Sequence, residues 1–136
     1  MMTDRTILIV DDHAVLRGVL QTQLLEWFPG VTVVEAGDGE TAMDLASKFE
    51  PDIAIMDITL PGVNGIATTR WVKERFPHTR VVILSVHELA AYREDAANAG
   101  ADAYVAKRQM HTELRDTLLR LSVEPSSLSA AAEETA

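Results

Sequence analysis

At 136 residues, 47% of them apolar, the chain is one domain in size and long enough to bury a core without staples. It holds no cysteine, which excludes a disulfide framework, thiol catalysis and a thiolate zinc site, and no apolar run approaches a membrane span or a signal sequence. A formal net charge of −9, from 12 basic against 21 acidic residues, repels a phosphate backbone; these residues are not expected to bind nucleic acid alone, and protein partners or divalent cations fit a soluble, cytoplasmic chain of this balance.

In chain order, Ile7-Leu8-Ile9-Val10 is a short apolar run closed by Asp11-Asp12 and reads as a buried strand. Leu16, Leu20 and Leu24, with Val15 and Val19 beside them, recur at helical spacing until Phe28-Pro29-Gly30, which predicts a helix over roughly 13–28. Residues 31–36 form a second strand, made an edge candidate by Thr32 and Glu35. Asp38-Gly39 opens a second helix whose Ala42, Leu45, Ala46 and Phe49 share one face before Pro51. Ile53-Ala54-Ile55-Met56 then runs straight into Asp57 and the turn residues Pro61-Gly62, as a strand buried on both faces would. A third helix is expected over roughly 64–76, ahead of Pro77. Val81-Val82-Ile83-Leu84 reads as a fourth strand ending at Ser85. A fourth helix over roughly 88–99 has a thin apolar face of Leu89, Tyr92, Ala96 and Ala99, and is the helix expected to move most easily. Ala103-Tyr104-Val105-Ala106 ends at Lys107, and Met110, Leu114, Leu118 and Leu121 mark a fifth helix. Residues 123–136 offer little to bury and read as a flexible tail or a truncated linker, leaving 1–122 as the domain.

Strands beginning near residues 7, 31, 53, 81 and 103 alternate with helices at the spacing of a minimal crossover unit, which makes every strand parallel and every crossover right-handed. The fold expected is a doubly wound α/β sandwich. Its parallel strands bring Asp11-Asp12, Asp57, Ser85 and Lys107 to one edge, the edge where open α/β sheets bind ligands. Taken singly, Asp12 reads as a helix cap, Ser85 as a satisfied core hydroxyl and Lys107 as a solvated amine. Together they say more. Three crowded carboxylates repel unless a cation sits among them, and oxygen donors without His or Cys select magnesium or manganese. A cation, a hydroxyl and a metal around one carboxylate describe a pocket for a phosphoryl group, with Asp57 placed as its nucleophile.

Residues 5–122 resemble the receiver domain of bacterial two-component response regulators. The resemblance is carried by Ile9-Val10-Asp11-Asp12-His13, by Asp57 before Leu60-Pro61-Gly62 and Gly65, by Ser85 after Val82-Ile83-Leu84, and by Ala99-Gly100-Ala101-Asp102-Ala103-Tyr104 leading to Lys107. Val10-Asp11-Asp12-His13 and Leu84-Ser85-Val86-His87 are most similar to the branch that usually continues into a LuxR-type helix-turn-helix domain. The resemblance implies a (βα)5 flavodoxin-like sheet of order 2-1-3-4-5. It implies that Asp57 accepts a phosphoryl group from the phosphohistidine of a sensor histidine kinase or phosphotransfer protein. Asp12 and Asp57 would ligate Mg²⁺ directly, Asp11 through water, and the Thr59 carbonyl would add a backbone ligand. Ser85 and Lys107 would bind phosphoryl oxygens, and Tyr104 would change rotamer as Ser85 moves, switching the face of helix 4, strand 5 and helix 5. Thr59 and His87 are placed at the pocket rim, where they would tune phosphoryl lifetime. Arg108 stands where many receivers have proline, so the usual cis peptide after the lysine is not carried over.

Rival readings are open to separate tests. A haloacid-dehalogenase-type phosphatase also uses an Asp nucleophile with Mg²⁺, but needs a second acid two residues later, where this chain has Thr59. A flavodoxin-like cofactor binder would place a phosphate loop after strand 1, where Asp11-Asp12 would repel it. A degenerate receiver could serve purely as a protein-interaction scaffold. The receiver could act alone, as a homodimer, or as the regulatory half of a transcription factor.

Overall fold

The computed structural model describes residues 4–123. Its elements are β1 (Thr6–Val10), α1 (Ala14–Trp27), β2 (Thr32–Ala36), α2 (Gly39–Phe49), β3 (Ile53–Met56), α3 (Gly65–Arg75), β4 (Arg80–Ser85), α4 (Ala90–Asn98), β5 (Ala103–Ala106) and α5 (Met110–Val123), with a single 3₁₀ turn, Lys107–Gln109, between the last two. The strands form one parallel sheet in the order β2-β1-β3-β4-β5, as expected, with β2 on an edge. The tail expected over 123–136 lies outside the described residues apart from Val123, which closes α5. Among the described residues no helix is long and apolar enough to cross a membrane.

Alternation along the central strands divides the core in two. Ile7 and Ile9 of β1 and Ile53 and Ile55 of β3 face α1 and α5, where they meet Leu20, Leu24, Leu114 and Leu118. Leu8, Val10, Ala54 and Met56 face the other way, onto Ala42, Ala46, Val72 and Ala96 of α2, α3 and α4. Each fully buried Leu or Ile contributes about 1.5–3 kcal/mol, so this double-sided burial makes β1 and β3 the firmest part of the molecule. The residues just past their ends inherit that firmness.

Local chemistry sets the helix starts. The Asp38 carboxylate accepts from the Thr41 amide at 2.7 Å and caps α2, and the Asn64 side chain accepts from the Ala67 amide at 2.9 Å to cap α3. Gly100, at φ +101°, ends α4 in a conformation that glycine alone adopts freely.

Three apolar assignments depart from expectation. Val15 is 82% exposed and Val19 is also exposed, because α1 turns Leu20 and Leu24 to the sheet and leaves the neighbouring arc outside. Phe49, at the end of α2, is exposed with the Lys48 ammonium 5.3 Å from its ring centroid. Leu89 is 70% exposed because α4 begins one residue after it, and Ala96 is the buried residue of that helix. The thin packing expected of α4 is what the structure shows.

Candidate functional site

The sheet register delivers the polar groups to one place. Val10 of β1 lies level with Met56 of β3, and the ladder runs one residue further: the Asp57 amide donates to the Val10 carbonyl at 2.9 Å and the Asp11 amide to the Ala36 carbonyl at 3.1 Å. Both acids therefore project from backbone held as tightly as the strands. Ser85 pairs with Ala106 across β4 and β5, which puts Lys107 one step beyond it.

Asp11, Asp57 and Ser85 are 2%, 4% and 0% exposed. The Lys107 ammonium lies between the first two, with Nζ 2.8 Å from Asp11 Oδ2 and 3.0 Å from Asp57 Oδ2. Burial pushes the Asp57 carboxyl up; Lys107 opposes that and the Asp11 charge adds to it, leaving the group above the usual carboxylate range. Burial also pushes Asp11 up, but Lys107 and the His13 amide outweigh it and hold the group below that range. Lys107 is raised, since two carboxylates outweigh its desolvation. One ammonium thus serves two buried acids, with Asp12 close by.

Lys107→Met tests this arrangement through pH. A group whose pKa is raised by folding contributes stability that is fully present below its unfolded value, about 10.4, and is lost as pH rises through the higher folded value. In EDTA the variant should therefore unfold more easily than wild type by ~1.5–3 kcal/mol from neutral pH to about 10, with the gap closing above. Urea midpoints across that range check it, and a gap that is unchanged at pH 12 would contradict it.

Asp12 is not used as a cap: His13 occupies the N-cap of α1, and that end has no side-chain cap hydrogen bond. Ligand atoms of Asp11, Asp12, His13 and Asp57 all lie within 4.8 Å of one another. Two buried carboxylates and a third, exposed one exceed the single ammonium in charge, and hard oxygen donors suit Mg²⁺ or Mn²⁺, so this donor set fits a divalent cation.

The rim is also linked. Thr59 Oγ1 and His87 Nε2 are 2.8 Å apart, and the His87 ring stacks on Tyr92 with centroids 4.2 Å apart. The His87 amide donates to Ser85 Oγ at 3.1 Å, and the Tyr104 hydroxyl donates to the His87 carbonyl at 2.7 Å. Burial raises the Tyr104 pKa, against a hydrogen bond with Ser85. Tyr104 is thereby tied to the loop that follows Ser85. Beyond the rim, a groove of about 720 Å³ opens between α3 and α4, lined by Thr59, Asn64, Arg70, His87, Tyr92 and Asp95 among others.

The fold gives three residues partners that the sequence does not announce. His13, in the sequence a part of the acid motif, enters the acidic cluster with its side chain. Arg17 donates to the Asp11 carbonyl at 2.6 Å and pairs with Glu35 at 3.1 Å; its place one helical turn after His13 was the available signal. Arg108 pairs with Glu88 at 2.8 Å, tying the residue after Lys107 to the segment ahead of α4. Every peptide bond among the described residues is trans, Lys107-Arg108 included.

Residues 7–119 match the family model described as the response regulator receiver domain. The chain belongs to that family. Similar curated proteins include the transcriptional regulatory protein DegU of Brevibacillus brevis, 40% identical over 103 residues (74% of this chain, 43% of that protein). The nitrate/nitrite response regulator NarL of Escherichia coli K12 is 39% identical over 106 residues (75% and 47%). The receiver thus spans about half the length of these relatives. Similar solved structures include a LuxR-family response regulator from Aurantimonas, at 35% identity and TM-score 0.78 over 96% of this chain and 97% of that one. Another is the Thermotoga maritima response regulator TrrA in complex with Mg²⁺-BeF, at 29% identity and TM-score 0.76 over 86% and 98%.

Proposed function

We propose that this receiver is switched by phosphorylation of Asp57, and the observation that carries the reading is the Lys107 ammonium held between two buried strand-end carboxylates. A sensor histidine kinase or phosphotransfer protein would present phosphohistidine. An Asp57 carboxylate oxygen attacks phosphorus, the P–N bond breaks with its electron pair leaving on the imidazole, and the phosphoryl group passes to Asp57 as an acyl phosphate. Mg²⁺, or Mn²⁺ in its place, would be held by Asp12, Asp57 and the Thr59 carbonyl directly and by Asp11 through water, and it would supply charge neutralisation to the phosphoryl oxygens. Lys107 then moves from sharing two carboxylates to binding a phosphoryl oxygen, and Ser85 donates its hydroxyl to another.

The site explains how the change would spread. Ser85 Oγ already accepts from the His87 amide, and Tyr104 holds the His87 carbonyl, so a displacement of Ser85 pulls on the segment entering the thinly packed α4. The face of α4, β5 and α5 is the one expected to change, acting on a partner, a second copy or an output domain. Acetyl phosphate with Mg²⁺ should add one phosphoryl group to wild type and none to Asp57→Asn, and should alter amide exchange in α4 and β5 of wild type alone. Uptake by the variant at the wild-type rate would sink the assignment.

Thr59 and His87 should set how long the signal lasts. Both stand at the rim and share one hydrogen bond, so Thr59→Ala and His87→Ala remove the same contact. One such bond is worth about 0.5–1.5 kcal/mol, or roughly two- to tenfold in a rate. Each variant should therefore shift the dephosphorylation rate by that factor in the same direction, the double variant should add little, and Mg²⁺ affinity should hold. Unchanged lifetimes in both single variants would refute it.

A further inference from the structure

The sequence supplies the metal site with oxygen donors, and the fold adds a nitrogen. His13 sits at the N-cap of α1, where its amide donates to Asp11 Oδ1 at 2.9 Å and brings the residue back over the acid pair. Its ring nitrogen Nδ1 lies 3.2 Å from Asp11 Oδ1 and 3.2 Å from Asp12 Oδ1. Donors that share one small cation stand about 3 Å apart, so these separations would let Nδ1 and Asp12 Oδ1 hold the same ion beside Asp11. Nδ1 is in hydrogen-bond contact with Asp11 Oδ1 and beside Asp12 Oδ1, and the His13 side chain is 71% exposed, so exchanging these contacts for a shared metal costs little desolvation.

From this geometry we propose that His13 Nδ1 is a ligand of the receiver's metal site, which makes the site a mixed nitrogen and carboxylate set rather than an oxygen cage. The inference rests on the reading of Asp11, Asp12 and Asp57 as metal donors and extends it. Imidazole suits transition-series cations, and affinity at such sites rises from Mn²⁺ through Co²⁺ to Ni²⁺, whereas Mg²⁺ keeps oxygen ligands and water. His13 therefore selects the cation: the receiver should prefer Mn²⁺ and Co²⁺ to Mg²⁺ more strongly than carboxylates alone would.

The contrary reading of the same distances is that the imidazole acts as an internal counter-ion to the two acids. In that case removing it would leave the metal's ligand set intact. The two readings separate on what bound Mn²⁺ sees. Pulsed electron paramagnetic resonance of Mn²⁺-loaded receiver should show nitrogen modulation from a directly bound imidazole, and His13→Ala should abolish it. Calorimetric titration should show His13→Ala losing affinity for Co²⁺ by about 10- to 100-fold, at least the cost of losing a ligand's outer partner, while Mg²⁺ affinity changes by less than about threefold. Bound Mn²⁺ without nitrogen modulation, or equal losses for Co²⁺ and Mg²⁺, would overturn the role of His13. Asp12→Asn and Asp57→Asn keep the two ideas apart: Mn²⁺ binding that survives both variants would overturn the metal site itself, along with the role of His13.

Discussion

Gly65→Ala should cost the receiver ~1–3 kcal/mol or more and strip phosphoryl uptake from whatever fraction remains folded. The reason is backbone against backbone. Gly65 opens α3 and donates its amide to the Ile58 carbonyl at 2.8 Å, so the start of the helix is pressed onto the residues that follow β3. A methyl group at Gly65 would overlap the Asp57 carbonyl oxygen and would lie 2.7 Å from its carbon and 2.9 Å from Ile58 Cα. No flexible side chain is available to give way, and Asp57 cannot retreat because its amide is bonded to β1 and its strand is buried on both faces. Either α3 shifts or the Asp57 carboxylate rotates away from Lys107. The control is Gly18→Ala in α1, where nothing lies within 4 Å of the added carbon. That helical position should gain up to about 1 kcal/mol. Urea midpoints of opposite sign for the two variants, with acetyl phosphate uptake lost only in the first, are the expected pattern; equal midpoints would refute the close approach.

Lys107→Met should slow phosphoryl uptake from acetyl phosphate by about ten- to a hundredfold, since a charge-assisted hydrogen bond to the reacting group is worth ~1.5–3 kcal/mol. The same variant should bind Mg²⁺ more tightly than wild type. A cation competes with the ammonium for Asp11 and Asp57 oxygens, and removing the ammonium leaves those charges to the metal alone. Opposite movements of metal affinity and phosphoryl uptake would be hard to produce by general loss of structure. Parallel losses of both would show that Lys107 acts by holding the pocket's shape rather than by binding the phosphoryl group.

How much of this was legible in the sequence varied with the physics of each feature. The strands read clearly because runs such as Ile53-Ala54-Ile55-Met56, apolar at every position, suit a strand covered on both faces. Parallelism then carried Asp11, Asp57, Ser85 and Lys107 to one edge without any knowledge of side chains. Helix faces were less legible: Val15 and Leu16 are both apolar, and which of them faces the sheet depends on how α1 is rotated. The second layer of the site was least legible. The ring of His13 reaches its acids by a backbone turn at a helix start, and His87 joins Thr59, Tyr92 and Tyr104 through contacts up to 28 positions apart in the chain. Arg108 showed as a departure from the family pattern, but its pairing with Glu88 needed the fold to bring two loops together.

The central claim is that the phosphoryl group resides on the carboxylate of Asp57. An acyl phosphate is reduced by borohydride where a free carboxylate is not, and the product at an aspartate is homoserine. Wild-type receiver treated with acetyl phosphate and Mg²⁺, then with borohydride, should yield homoserine at position 57 by peptide mass mapping and unmodified aspartate at positions 11, 12 and 52. Homoserine at any of those other positions with Asp57 intact, or a stable phosphoester on a hydroxyl residue instead, would contradict it.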